Sequence, residues 1–183
     1  MKEIRLHGRG GQGVVKAAQT IVSTVVDDGS YGQFIPFFGV ERKGSPVYGF
    51  LRLNDEDIRI KTQVYYPEIL LILDDTLLDM PQTFAGLQEG GTVVLNTSKS
   101  IEELNLPKTV GTLALLDAEP IALSHIKRNI PNTAMLGAFA KATGLVNWDK
   151  LKDHIAATFG EPNRLAADEA YEKVRIINLG GAA

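Results

Sequence analysis

The stretch His7-Gly8-Arg9-Gly10-Gly11-Gln12-Gly13 joins a short apolar run at residues 4–6 to a run with helical periodicity. Gly8, Gly10 and Gly13 have the G-x-G-x-x-G spacing, in which small residues let the backbone turn sharply and approach a ligand. The unpaired N–H groups at the start of the following helix favour an anion there. The order of strand, glycine loop and helix therefore predicts the first unit of an α/β fold with a binding site at the loop.

The rest of the chain continues this alternation. Apolar residues at spacings of three and four predict a helix over residues 14–27, and Gly29 is suited to end it in a left-handed conformation. Residues 31–38 are rich in aromatic and β-branched side chains and predict a second strand, which Pro36 should end. The continuous apolar run at residues 69–73 predicts a central strand that is buried on both faces.

Further elements complete the predicted architecture. Strands are expected at residues 47–53, 92–95 and 109–116, with a hairpin partner of the first at 58–60. Helices are expected at residues 77–87, 120–127, 132–143, 148–159 and 165–176. Strands that alternate with helices predict a single α/β domain over residues 1–183. We expect a three-layer sandwich with a Rossmann-like, mostly parallel sheet and a local antiparallel hairpin at about residues 47–60.

Composition narrows the function classes. The chain has 183 residues, of which 44% are hydrophobic, which suits one domain with a sizeable core. A formal net charge of −3 gives no field that would bind nucleic acid or an anionic membrane. Residues 1–5 pass straight into a strand without a leader pattern, and no apolar stretch approaches the roughly 20 residues of a spanning helix. We expect a cytoplasmic protein with neither nucleic acid nor membrane as a partner.

The chain contains no cysteine, which excludes disulfides, thiolate nucleophiles and cysteine-held iron–sulfur clusters from it. Its three histidines, His7, His125 and His154, lack the spacing that puts two metal ligands on one helix face. No serine, histidine and carboxylate fall into a triad pattern. The sequence therefore assigns no metal site and no catalytic residue to this chain.

A dinucleotide site is one interpretation of the glycine loop. It needs an acidic residue about 20 positions on, at the end of the second strand, to hold the ribose hydroxyls. That strand ends here in Phe34-Ile35-Pro36-Phe37, so a stand-alone dinucleotide-binding oxidoreductase is a weak alternative. A tight packing turn without a ligand also stays open. Arg9 and Gln12 favour a phosphate or carboxylate ligand, because a cation and an amide lie among exposed N–H groups.

A second loop, at residues 39–46, carries three consecutive charged residues directly after two phenylalanines. Four of the seven phenylalanines lie around it, at positions 34, 37, 38 and 50. Exposed aromatic surface ringed by charge is typical of a protein interface, although a solvated loop is the alternative. The predicted partner-contact residues are Phe37, Phe38, Glu41, Arg42 and Lys43.

Polar residues follow two of the predicted parallel strands. Ligands of open α/β sheets bind outside the carboxyl ends of the strands. Asp74 and Asp75 follow the central strand and are expected to cap the next helix. Asn96 and Thr97 follow the next strand, where a helix cap and a ligand contact are both open.

Several segments together resemble the gamma subunit of 2-oxoacid:acceptor oxidoreductases of the pyruvate:ferredoxin type. They lie in the same order across the whole chain, at residues 7–15, 37–47, 96–97 and 132–138. The resemblance implies a complex that oxidatively decarboxylates a 2-oxoacid to acyl-CoA and passes electrons through iron–sulfur clusters to ferredoxin or another acceptor such as NAD. The 2-oxoacid stays open among pyruvate, 2-oxoglutarate, branched-chain and aryl 2-oxoacids.

The resemblance also implies a division of labour. Thiamine diphosphate and Mg²⁺ would be held by alpha and beta catalytic subunits and 4Fe-4S clusters by a ferredoxin-like iron–sulfur subunit, so that this chain binds no cofactor alone. The gamma subunit would be structural and would help to form the CoA site. The residues expected at that site are Gly8, Arg9, Gly10, Gly11, Gln12, Gly13, Asn96, Thr97 and Asn132.

The charged loop would fix the contact with the catalytic subunits. Family members usually carry two arginines there, whereas this chain has Arg42 and Lys43. Because lysine lacks the planar fork of arginine, a bidentate contact is assigned to Arg42.

Overall fold

The structure is a computed structural model that describes residues 1–37 and 44–180. Within these ranges seven strands form one sheet: β1 (Lys2–Arg9), β2 (Tyr31–Phe37), β3 (Pro46–Asn54), β4 (Ile69–Ile72), β5 (Gly91–Asn96), β6 (Val110–Leu116) and β7 (Arg175–Asn178). Five α-helices accompany them: α1 (Val14–Asp27), α2 (Ala118–His125), α3 (Asn132–Thr143), α4 (Trp148–Phe159) and α5 (Glu161–Lys173). Two short 3₁₀ helices, Asp75–Leu77 and Ile101–Glu103, lie in the connections after β4 and β5.

The sheet has the strand order β2-β3-β1-β4-β5-β6-β7. Its centre is parallel, because β1, β4, β5 and β6 pair in the same direction. Its edges are antiparallel, with β3 between β2 and β1 on one side and β7 against β6 on the other. The predicted α/β fold with a Rossmann-like sheet is confirmed.

Alternation along the strands separates two cores. Ile4 and Leu6 of β1 face the α-helices, together with Leu71 of β4, whereas Leu70 and Ile72 face the opposite side. That opposite side is covered by the 3₁₀ helices and turns that follow β4 and β5, so the third layer contains no α-helix in the described part of the chain. As its apolar run predicts, β4 is buried on both faces.

The hairpin predicted at residues 47–60 is wrong. Residues 58–60 form no strand, and β3 pairs instead with β2 and β1. The prediction that Pro36 ends the second strand is also wrong, because β2 continues to Phe37 and Pro36 pairs with Gly49. An edge strand tolerates proline, since its missing N–H can point away from the neighbouring strand.

Two helix predictions also need correction. Residues 77–87 form turns after the first 3₁₀ helix, with Gly86 at φ +74°. The helix predicted at 165–176 ends as α5 at Lys173, and Arg175–Asn178 forms β7. A four-residue strand is too short for periodicity to distinguish it from a continuing helix. The predicted bounds of α1, α3 and α4 are confirmed.

Candidate functional site

The glycine loop connects the end of β1 to the start of α1. Gly13 is the N-cap residue of α1 and has a left-handed backbone with φ +82°. A Cβ atom on it would lie 2.4 Å from Nδ2 of Asn132, the first residue of α3. The structure therefore brings Gly13 and Asn132, two predicted site residues distant in sequence, into direct contact.

Gln12 links the loop to the neighbouring strand end. Its Oε1 accepts a hydrogen bond from the backbone N–H of Arg9 at 2.7 Å. Its Nε2 donates to Oδ2 of Asp74, also at 2.7 Å, directly after β4. With both ends of its amide used, Gln12 fixes the loop against β4.

The Arg9 guanidinium is held on three sides. Nη2 donates to Oγ1 of Thr76 at 2.6 Å, and Nη1 donates to the carbonyl of Gly44 at 3.1 Å. Nε lies 3.4 Å from Oδ2 of Asp74. The side chain is still about one third exposed, so it can meet an anion from outside.

Asp74 is the centre of this network. Burial raises its pKa, but hydrogen bonds from Thr76 and Gln12 and the charge of Arg9 outweigh burial and hold the pKa below its ordinary value. Its Oδ1 accepts from the backbone N–H of Thr76 at 3.0 Å, so Asp74 is a cap as predicted, although of the 3₁₀ helix Asp75–Leu77 and not of an α-helix. Asp75, the other predicted cap, is the first residue of that 3₁₀ helix. Asp74 is therefore an ionised anchor for the loop.

Asn96 and Thr97 connect neighbouring elements rather than pointing free polar groups outward. Asn96 donates to the carbonyl of Leu73 at 3.0 Å and accepts from the N–H of Ala118, the first residue of α2, at 2.9 Å. Thr97 donates to Oδ2 of Asp75 at 2.7 Å. The bond from the Ala118 N–H is the helix-cap role that the sequence left open for Asn96.

A cleft of about 360 Å³ opens at the carboxyl ends of β4, β5 and β6, next to Gln12. Four carboxylates line it, from Asp74, Asp75, Asp117 and Glu119. An acidic cleft repels phosphate groups. The sequence analysis missed Asp117 and Glu119, although Asp117 directly follows β6 just as Asp74 follows the β4 run.

The start of α1 has the opposite charge. No side chain caps it in the described part of the chain, its first turn contains no acidic residue, and Lys16 lies exposed in that turn. Gly10 and Gly11 precede it. Gly10 donates to the carbonyl of Ser45 at 2.9 Å, whereas Gly11 is exposed, with open space around its Cα. Gly8 lies inside β1, close to Val14.

Of the predicted partner-contact residues the structure describes one. Phe37 is 42% exposed and stacks on Tyr48, with ring centroids 4.6 Å apart. Phe38, Glu41, Arg42 and Lys43 lie outside the described residues. Residues 44 and 45 join this loop to the first one, because the N–H of Gly44 donates to the carbonyl of Gly10 at 3.2 Å.

Two further kinds of site are absent from residues 1–37 and 44–180. These residues contain no group of three or more His, Asp or Glu side chains that could hold a metal ion. None of their helices is long and apolar enough to cross a membrane.

The chain is similar to several known proteins. Residues 3–173 match the family model described as pyruvate ferredoxin/flavodoxin oxidoreductase. The chain is 50% identical over 185 residues to the pyruvate/ketoisovalerate oxidoreductases common subunit gamma of Thermococcus kodakarensis, covering 98% of this chain and 100% of that one. It is 49% identical over 152 residues to the NADH-dependent phenylglyoxylate dehydrogenase subunit gamma of Aromatoleum evansii, covering 83% and 80%. The crystal structure of pyruvate oxidoreductase subunit PORC from Thermotoga maritima superposes with a TM-score of 0.84 at 36% identity, covering 96% and 97%.

Proposed function

Because the chain belongs to the pyruvate ferredoxin/flavodoxin oxidoreductase family, we propose that it completes the CoA site of a complex that makes acyl-CoA. The chain is the gamma subunit of a pyruvate or other 2-oxoacid:ferredoxin oxidoreductase complex. In the proposed reaction a 2-oxoacid anion and CoA give acyl-CoA, CO₂, one proton from the CoA thiol and two electrons, which pass to ferredoxin or to NAD.

The proposed cofactors belong to the other subunits. Thiamine diphosphate, with Mg²⁺, supplies the decarboxylation chemistry in the alpha and beta subunits. The 4Fe-4S clusters require cysteine ligands, and this chain has no cysteine. A ferredoxin-like iron–sulfur subunit would therefore carry the electrons, and the gamma subunit would contribute binding and positioning.

The charge contrast across the glycine loop supports the CoA assignment. The uncapped start of α1, with Lys16 in its first turn and Arg9 close by, is suited to a phosphate group. The acidic cleft on the other side of Gln12 is not suited to a phosphate group, because its carboxylates repel negative charge. We therefore assign the CoA phosphates to the α1 side of the loop, from Gly8 to Gly13. Asn132 packs against Gly13 and holds that loop in place, whereas Asn96 and Thr97 connect the segment after β4 to its neighbours.

A test of this assignment is the variant Lys16→Gln in the assembled complex. Loss of an exposed ion pair between Lys16 and a CoA phosphate costs up to about 1 kcal/mol of binding free energy, which corresponds to a roughly fivefold rise in the KM for CoA. The kcat should stay unchanged, because the interaction is made equally in the ground state and the transition state. Lys108→Gln, which removes an exposed charge elsewhere, is the matched control.

An unchanged KM for CoA in Lys16→Gln would favour the second candidate, a gamma subunit that contacts only proteins. The observation that favours this candidate is the hydrogen bonding of Arg9 and Asn96, since both side chains already have partners within the chain. In that case the loop would stabilise the subunit, and CoA would be bound entirely by the catalytic subunits.

On this proposal, the other subunits select the 2-oxoacid and the electron acceptor. The relatives named above differ in the oxoacid of their names, since one is named for pyruvate and ketoisovalerate and another for phenylglyoxylate, and the second name also includes NADH. Assay of the purified complex against pyruvate, 2-oxoglutarate, branched-chain and aryl 2-oxoacids, with ferredoxin and NAD as acceptors, assigns them directly.

A further inference from the structure

A second cavity, of about 310 Å³, lies on the sheet face that carries no α-helix. Its floor is formed by Arg5 and His7 of β1 and by Tyr48 and Phe50 of β3. Its walls are residues 63–66 and 82–86. The walls are fixed closely, because a Cβ on Gly86 would lie 2.0 Å from the carbonyl oxygen of Tyr65.

Arg5 is only 6% exposed and lines this cavity. Its Nη2 donates to the carbonyls of Gln82, Thr83 and Ala85 at 3.1, 2.9 and 2.8 Å. Its Nε donates to Nε2 of His7 at 3.0 Å. Among the described residues no carboxylate pairs with Arg5, and its Nη1 has no hydrogen-bond acceptor.

Arg52 provides an internal comparison. It is the other buried arginine on this sheet face, 1% exposed, and it also donates to backbone carbonyls. Unlike Arg5, it has a carboxylate partner, since its Nε lies 2.8 Å from Oε1 of Glu3. A buried guanidinium is stabilised when its charge is compensated. Arg5 differs from Arg52 because it meets only backbone carbonyls and His7, and no carboxylate, among the described residues.

His7, which accepts a hydrogen bond from Arg5, does not compensate its charge. Burial, with a smaller effect of the Arg5 charge, lowers its pKa to about 3, so the ring is neutral near pH 7. Because Nε2 accepts from Arg5, the ring proton must be on Nδ1. Within residues 1–37 and 44–180, no aspartate or glutamate lines the cavity. The cavity therefore offers donors and one positive charge.

The rim of this cavity is aromatic. Tyr65 is 58% exposed and Tyr66 is 68% exposed. Phe37, Tyr48 and His7 are directly cross-strand paired in one row of the sheet, which connects the cavity to the exposed face of Phe37. Exposed tyrosines around a buried charge are typical of the centre of a protein–protein interface.

We propose that this cavity receives an aspartate or glutamate side chain from another subunit of the complex, which pairs with Arg5 while the tyrosines of the rim close around it. The inference rests on the proposed function, because the partner is a subunit of the same enzyme. A partner side chain fits better than a free ligand, since the aromatic rim continues into the exposed Phe37.

The decisive variant is Gln63→Glu, which places a carboxylate in the lining of the cavity and competes with that of the partner. Gln63 is exposed and its side chain donates only to Tyr65, so the fold should tolerate the change. Gln19→Glu adds the same charge on the helical face and is the matched control. We expect the dissociation constant of the tagged chain for the remaining subunits to rise about tenfold in Gln63→Glu and to stay unchanged in Gln19→Glu.

A second pair of variants tests the rim without changing charge. Tyr66→Ala should weaken assembly about tenfold, whereas Tyr31→Ala, at an exposed tyrosine at the start of β2, should not. Equal affinities for wild type and for both Gln63→Glu and Tyr66→Ala would overturn the inference while leaving the proposed function intact. A wild-type chain that does not assemble with any other subunit would overturn both.

Two further outcomes would assign the cavity to another occupant. Titration of the isolated chain with acetate and with pyruvate, followed by tyrosine fluorescence, should give no saturable signal at millimolar concentration. Saturable binding that Gln63→Glu abolishes would overturn the inference in favour of a free carboxylate. If Glu41→Gln destabilised the isolated chain as strongly as Arg5→Met, the carboxylate would come from the chain itself, which also contradicts the inference.

Discussion

Two separate physical reasons favour glycine over any other residue at position 13. Its φ of +82° is strained for any residue with a Cβ, and that Cβ would also overlap the Asn132 amide. We expect Gly13→Ala to lower the free energy of unfolding by about 3 kcal/mol, the sum of backbone strain and overpacking. The measurement is urea unfolding of the isolated chain.

Gly11 offers the matched control for that prediction. Its φ of +98° is equally unfavourable for alanine, but nothing lies within 4 Å of its would-be Cβ. Gly11→Ala should therefore cost only about 1 kcal/mol. Equal losses in the two variants would show that the contact with Asn132 does not matter.

We expect the contribution of Asp74 to the free energy of unfolding to depend on pH. A carboxylate whose pKa is lowered on folding stabilises the protein above its unfolded pKa of about 3.9, and this stabilisation is lost as the pH falls through the folded pKa. Asp74→Asn should therefore lower the unfolding free energy clearly at about pH 7 and much less at about pH 3. Asp79→Asn, at an exposed position, is the control and should have little effect at either pH.

For individual residues, the sequence predicts which ones belong to the loop site, but it does not predict their contact partners. The glycines and Gln12 stand out by spacing, because a sharp turn needs small residues. The hydrogen bond from Gln12 to Asp74 and the packing contact between Gly13 and Asn132 join positions about 60 and about 120 apart in sequence. Local spacing carries no information about either pair.

Among the elements, β4 changes the interpretation of the glycine loop. The parallel neighbour of β1 is β4, whereas β2 lies at the sheet edge and is separated from β1 by β3. A dinucleotide-type ribose acid would therefore follow β4, where Asp74 stands. Asp74 is already paired with Gln12, Thr76 and Arg9.

We accordingly expect no saturable binding of NADH to the isolated chain. The measurement is a fluorescence titration of the pure subunit up to millimolar nucleotide. A dissociation constant in the micromolar range, abolished in Asp74→Asn, would restore the stand-alone oxidoreductase as the correct interpretation.

The packing of α3 against α5 depends on one glycine. A Cβ on Gly137 would lie 2.2 Å from the carbonyl oxygen of Ala167 in α5, and a backbone atom cannot rotate away. Gly137→Ala should destabilise the chain by about 2 kcal/mol, although alanine is the better helix former by about 1 kcal/mol. Urea unfolding measures this change in the free energy of unfolding. A variant more stable than wild type would contradict the close approach of α3 to α5 at Gly137.

Long periodic elements are predictable and short ones are not. The bounds of α3 and α4 follow from their apolar spacing and flanking residues, and β4 follows from its continuous apolar run. In contrast, β7 has four residues, and β3 lies between β1 and β2 because of long-range pairing. A hairpin to the nearest apolar run is the simplest local expectation, and tertiary pairing overrides it.

For the whole molecule, the net charge of −3 hides an uneven distribution. Acidic groups line the cleft at the strand ends, a positive region lies at the start of α1, and one buried arginine lacks a carboxylate among the described residues. The charged groups are therefore sorted into an acidic region and a basic region that both lie next to the glycine loop.

We propose that this chain is an inactive but required part of a CoA-dependent oxidoreductase. The most direct measurement is 2-oxoacid- and CoA-dependent ferredoxin reduction by the purified complex, by the complex stripped of this chain, and by the chain alone. We predict activity in the complex, its loss on stripping, its return when the chain is added back, and none in the chain alone. Full activity of the stripped complex, or turnover by the isolated chain, would contradict the account.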